Sequence, residues 1–171
     1  MTGLALAMAL TVGCAAKPPE PKASFLLSQV LRDWIFATPE GMAYTSENAK
    51  GRVTVLLFLT TYDTASQIAV CRLNSEIHRL KRRINAIGVV LEPPNHSLLV
   101  GVFRDSLHLT FPLLLPDPAT LAGQGPFGAI DVVPTWVILD VYGKEVWRKT
   151  GVNAIADLLP MLAKLGASAE E

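Results

Sequence analysis

Residues 53–74 read VTVLLFLTTYDTASQIAVCRLN, and this stretch decides the fold. It opens on an unbroken apolar run, residues 53–59, rich in β-branched side chains. Such a run reads as a strand buried on both faces. Polar residues follow at once: Thr60, Thr61, Tyr62, Asp63 and Thr64. Asp63 or Thr64 can accept a hydrogen bond from a free backbone N–H and so cap a helix. Helical periodicity then runs to about Ile84. On a wheel of about 100° per residue, Ala69, Val70, Leu73, Ile77, Leu80 and Ile84 share one arc, the core face. Cys71 falls nearly opposite, beside Ser75, His78, Arg79 and Arg82, so on a straight helix it is not a core cysteine. A buried strand that stops at a helix start is a place where α/β proteins often put chemistry.

Upstream, residues 34–37 and 42–44 flank Pro39-Glu40-Gly41 and read as a hairpin. Residues 45–50 suit one helical turn, and residues 24–31 fit helix or extended chain equally. Downstream, residues 89–91 form a second buried strand, ended by Glu92-Pro93-Pro94-Asn95. A helix is predicted over about 96–107, and a strand over 113–115 after Pro112. Residues 116–128 read as loop with a short helix at most. Their glycines, Gly123, Gly125 and Gly128, lack the strand-to-helix setting of a nucleotide loop and read as backbone turns. Residues 135–140 form a strand, residues 141–144 a turn, and residues 145–148 a strand of alternating polarity. The last helix spans 154–165, with Ile155, Leu158, Leu159 and Leu162 on one face and Pro160 inside it. No internal repeat is visible.

The N-terminus has a different character. Residues 4–12 are a short apolar run followed by Gly13-Cys14. The run is too short to span a bilayer, which needs about 20 residues, but it suits the core of a signal peptide. It resembles a bacterial lipoprotein signal, and the resemblance implies that Cys14 carries lipid. Thr11 stands where leucine is usual. No Lys or Arg precedes the run, which points to a start further upstream or to an atypical signal. Lys17-Pro18-Pro19-Glu20-Pro21-Lys22 reads as an extended spacer. The expected organisation is a signal segment at 1–13, an anchor cysteine and linker at 14–23, one domain at 24–166 and a polar tail at 167–171.

A chain of 171 residues with 50% hydrophobic residues can bury one good core. Its formal net charge is zero, which gives no reason to expect a nucleic-acid partner. His78, His96 and His108 are scattered without metal-ligand spacing, so neither a metal nor another cofactor is expected. There is no Gly-x-Ser-x-Gly elbow. Arg72, Arg79, Lys81, Arg82 and Arg83 make one helix face basic. Its default meaning is a solvated face, with attraction to anionic lipid as the alternative.

Two segments carry a family resemblance. A strand ending in Phe58-Leu59, then Thr61-Tyr62 and a helix start, resembles the thioredoxin fold, in particular the TlpA/ResA-like, redoxin-type envelope proteins. Val133-Pro134-Thr135 resembles the Val-Pro-Thr of that fold, whose proline is cis and precedes a central strand. Gly51-Arg52 before the first strand and Phe111-Pro112 before a later one match as well. The resemblance covers about residues 34–165. It implies an α/β fold: a three-layer α/β/α sandwich with a central mixed sheet and an N-terminal hairpin.

The family carries Trp-Cys-x-x-Cys where this chain has Tyr62-Asp63-Thr64-Ala65-Ser66. Asp63 and Ser66 stand at the two cysteine positions. Dithiol exchange needs a thiolate attacking a sulfur, so that activity is expected to be absent here. A peroxiredoxin-like reading needs Pro-x-x-x-Thr-x-x-Cys. The nearest register gives Thr60, Thr64 and Gln67, so the proline and the cysteine are both missing. The expectation is a lipid-anchored module of the bacterial cell envelope that binds an extended peptide or envelope protein. Tyr62, Asp63, Ser66, Val133 and Pro134 would form its site. The alternative is a thiol-disulfide oxidoreductase or redoxin-type antioxidant protein working through Cys71 alone, since the chain has only two cysteines.

Overall fold

The chain approaches its sheet through a hairpin. A computed structural model describes residues 33–80 and 83–167. Cys14, the linker, residues 24–31 and the end of the tail lie outside the described residues. β1 (Ile35–Ala37) and β2 (Ala43–Thr45) pair antiparallel. Gly41 in their turn has a φ of 85°, a left-handed value that glycine adopts without steric cost. α1 (Ser46–Ala49) is a single turn, and the Asn48 side chain accepts from the Thr45 N–H at 2.8 Å to close its start.

β3 (Thr54–Leu59) is buried along its whole length. α2 (Thr64–Arg79) leads to β4 (Asn85–Val90), which lies parallel to β3. A 3-10 turn at Pro94–His96 opens α3 (Ser97–Ser106), and β5 (Leu113–Leu114) follows parallel to β4. α4 (Pro118–Leu121) is one turn, with Asp117 accepting from the Thr120 N–H at 2.8 Å. β6 (Thr135–Leu139) runs antiparallel to β3, and β7 (Glu145–Thr150) antiparallel to β6. α5 (Ile155–Lys164) ends the fold. The sheet order is β5-β4-β3-β6-β7, so β3 lies at its centre.

The alternation of β3 divides the core. Val55, Leu57 and Leu59 pack with Ala69, Val70 and Leu73 of α2, Val100 and Phe103 of α3, and Leu158 and Leu162 of α5. Leu56 and Phe58 face the other side, with Trp34, Phe36, Ala49 and Phe127. There Trp34 stacks on Phe36 at 4.9 Å and Phe127 meets Phe58 edge-on at 5.2 Å. The second outer layer is therefore made of the hairpin, α1 and the loop after α4. Full burial of a large apolar side chain stabilises by about 1.5–3 kcal/mol, and this central strand contributes to both halves of the core.

Several boundaries differ from the sequence reading. α2 stops at Arg79, and Ile84 is buried on the approach to β4, not on a helix face. Burial explains its apolar character without helical periodicity. β4 begins at Asn85, ahead of the expected 89–91, because it pairs with β3 from Thr54 onward; Asn85 and Gly88 break the apolar pattern and hide that start. Gly88 is required by packing: a Cβ there would lie 2.4 Å from Leu113 Cδ2. Leu115 falls outside β5 and exchanges hydrogen bonds with Ala37 at 2.8 and 2.9 Å, which ties the hairpin to the sheet edge. At the C-terminus Gly166 has a φ of 77°. The Ala167 N–H donates to the Leu162 carbonyl at 2.9 Å, a glycine-ended helix cap. That cap buries Ala167, which the sequence assigns to the tail.

Candidate functional site

β3 and β4 are parallel, so both deliver their C-terminal ends to one rim of the sheet. At that rim Asp63 caps α2 with its carboxylate. Asp63 Oδ2 accepts from the Ser66 N–H at 2.8 Å, and Oδ1 from the Ala65 N–H at 3.2 Å. The Ser66 hydroxyl lowers the Asp63 pKa most; burial opposes it, and the two N–H groups add to the lowering. The carboxylate is thus committed to the backbone donors of the helix start. Asp63→Ala should cost about 1 kcal/mol of stability, the usual worth of such a cap. Chemical denaturation reads this directly, and an unchanged midpoint would count against the capping role.

Ser66 is fully buried, and its Oγ accepts from the Thr60 N–H at 3.3 Å. It packs inside the helix start, beneath the exposed part of the rim. Tyr62 is the opposite case, with 79% of its surface exposed. The register that sets Phe58 against Thr135 runs on to bring Pro134 and Val133 beside the end of β3. The Val133–Pro134 peptide bond is cis. The Pro134 carbonyl accepts from the Gly151 N–H at 2.7 Å. The Thr135 hydroxyl donates to the Val132 carbonyl at 2.5 Å. Among the described residues, the N–H and C=O of Val133 have no hydrogen-bond partner, although Val133 is only half-buried. Tyr62, Asp63, Val133 and Pro134 therefore meet at one rim, with Ser66 beneath them.

A second layer of this rim escaped the sequence reading. Glu92 follows β4 and is 1% exposed. Its Oε1 accepts from the Thr61 N–H at 2.6 Å and from the Thr61 hydroxyl at 2.7 Å. Its Oε2 lies 2.9 Å from His96 Nδ1. Burial acts to raise the Glu92 carboxyl. The Thr61 N–H, His96 and the Thr61 hydroxyl outweigh it and hold the group below the ordinary carboxylate value. One carboxylate thus fixes the residue before Tyr62 to the start of α3. The available signal was an acidic residue directly after a buried strand, in front of Pro93-Pro94.

Cys71 is exposed on α2. It lies eight positions beyond Asp63, about 12 Å along the axis at about 1.5 Å per residue, and so takes no part in the helix start. Among the described residues, no three His, Cys, Asp or Glu side chains converge as a metal set.

No family model matches the sequence, and no curated protein matches it. Solved structures do. A thioredoxin-like protein from Porphyromonas gingivalis is 16% identical with a TM-score of 0.65, over 77% of this chain and 88% of that one. StoA from Bacillus subtilis is 22% identical with a TM-score of 0.57, over 75% and 96%. The peroxidoxin BcpB from Mycobacterium tuberculosis is 20% identical with a TM-score of 0.64, over 82% and 96%. At these identities the likeness carries the fold alone: the chain has a thioredoxin-like fold.

Proposed function

We propose that this thioredoxin-like domain is a membrane-tethered peptide-binding module of the bacterial cell envelope whose dithiol centre is absent. The observation that carries the reading is the rim itself. Asp63 and Ser66 stand at the family's two thiol positions, and both are committed to holding the helix start. Beside them the free N–H and C=O of Val133 and the exposed Tyr62 ring offer what an extended peptide needs: backbone partners and an aromatic face. Peptide affinity should therefore fall on Tyr62→Ala while the fold is kept. Binding of a peptide panel by the natural chain and this variant tests the groove, and equal affinities would count against it.

The tether rests on Cys14 and the apolar run before it. Among the described residues no helix is long and apolar enough to cross a membrane. On this reading Cys14→Ala moves the protein from the membrane fraction to the soluble fraction. Fractionation that does not change would remove the tether.

A second reading, thiol-disulfide chemistry through Cys71, has one observation in its favour: the thiol is exposed. Exchange would then run through a mixed disulfide with a partner's cysteine, since the helix start has no thiol to resolve it. Reductase turnover lost on Cys71→Ser would select this reading.

A further inference from the structure

We propose that the notch at the other end of the sheet is a binding site for a small organic anion, an apolar body carrying a phosphate or carboxylate. The notch follows from strand lengths. β5 pairs only with Gly88 and Val89 of β4, so no strand covers Asn85 and Ala86 on that side. The result is a cleft of about 430 Å³ between the last turn of α2 and the beginning of β4. That volume falls within the range of small-molecule sites, about 300–1,000 Å³. It lies at the N-terminal ends of β3 and β4, across the sheet from Tyr62 and Asp63.

Its lining has two characters. Ile77 and Phe111 supply apolar walls, while Arg52, His78, Tyr44 and Asn85 supply polar groups. Among the described residues the side chains of Arg52 and His78 have no hydrogen-bond or ion-pair partner. A guanidinium without a carboxylate presents paired N–H donors that match an oxyanion. Asn85 spends one N–H on Thr54 Oγ1 at 3.4 Å. Burial pushes the Tyr44 hydroxyl pKa up, so it keeps its proton and remains a donor. Among the described residues, no Asp or Glu lines the cleft.

Phenyl phosphate, titrated into the full chain and followed by amide NMR shifts, tests the site. Saturable shifts are expected at Asn85, Ala86 and Phe111, with none from benzyl alcohol, which has the ring but no charge. Arg52→Gln should weaken the phosphate probe at least tenfold without moving the melting temperature, since Arg52 is exposed. The source of the anion is read with the Cys14→Ala chain and vesicles. Binding to phosphatidylglycerol vesicles that Arg52→Gln abolishes assigns the anion to a lipid headgroup. Phenyl phosphate binding without vesicle binding assigns it to a soluble metabolite. An absence of saturable shifts, or equal affinity in Arg52→Gln, overturns the proposal. Either outcome leaves the peptide reading intact, because the two sites lie at opposite ends of the sheet.

Discussion

Asp63→Cys combined with Ser66→Cys should turn the protein into a disulfide reductase, from no turnover to a readily measured one. The scaffold supplies what the chemistry needs. β3 carries the outer position to the start of α2, where partial positive charge favours an anion by about 0.3–1 kcal/mol. In the natural chain the Asp63 carboxylate uses that charge. In the double variant an outer thiolate takes its place and attacks a substrate sulfur, forming a mixed disulfide. The inner thiol, at the buried Ser66 position, then attacks that disulfide and releases the substrate as two thiols. The cysteine pair ends oxidised and dithiothreitol restores it. Loss of the cap costs about 1 kcal/mol, which a folded domain of this size tolerates. Insulin reduction reads the gain. Either substitution alone should give far less turnover than the pair, because a lone thiol leaves its mixed disulfide to be resolved by dithiothreitol. A folded double variant that stays inactive would show that the rim no longer has the geometry of the fold's redox site.

The largest single-site loss of stability near the rim is expected from Glu92. Glu92→Ala leaves the buried Thr61 N–H and hydroxyl without their acceptor. An orphaned buried donor costs about 1–3 kcal/mol, and two share this carboxylate. The variant should unfold at clearly lower denaturant and bind peptide less tightly, because Thr61 precedes Tyr62. The acid limb gives an independent reading. The folded-state pKa of Glu92 is held below its ordinary value. Its contribution is therefore complete above the unfolded carboxylate value, about 4.3, and is lost as pH falls through the lower folded value. Glu92→Gln should flatten the acid loss of stability in that window. An unchanged acid limb would mean that the hydrogen bonds to Thr61 contribute little.

Much of this was legible in the residues. The largely apolar run before Thr60 placed the central strand because a strand covered on both faces is apolar on both; its one polar member, Thr54, donates to the Ala49 carbonyl. Asp63 read as a cap because its carboxylate answers local backbone donors. Cys71 read as exposed because helical spacing alone decides its face. What escaped was set by long-range contact. Glu92 bonds to Thr61 across 31 positions of sequence, and no local pattern announces such a pair. The full burial of Ser66 was not legible either, because the depth of a helix's first turn depends on the sheet beneath it. Gly88 hid the start of β4, since its reason is a Leu113 side chain on another strand. The cleft at Arg52 exists because β5 is short, and strand length at an edge depends on pairing, not on apolar content.

The central claim is that the natural chain keeps the thioredoxin-like scaffold without its redox chemistry. Insulin reduction by the natural chain, measured with dithiothreitol beside its Cys71→Ser variant, tests this most directly. The expected result is no turnover above the reagent's own rate for either protein. Turnover by the natural chain that disappears in Cys71→Ser would contradict the claim and establish a single-thiol enzyme in its place.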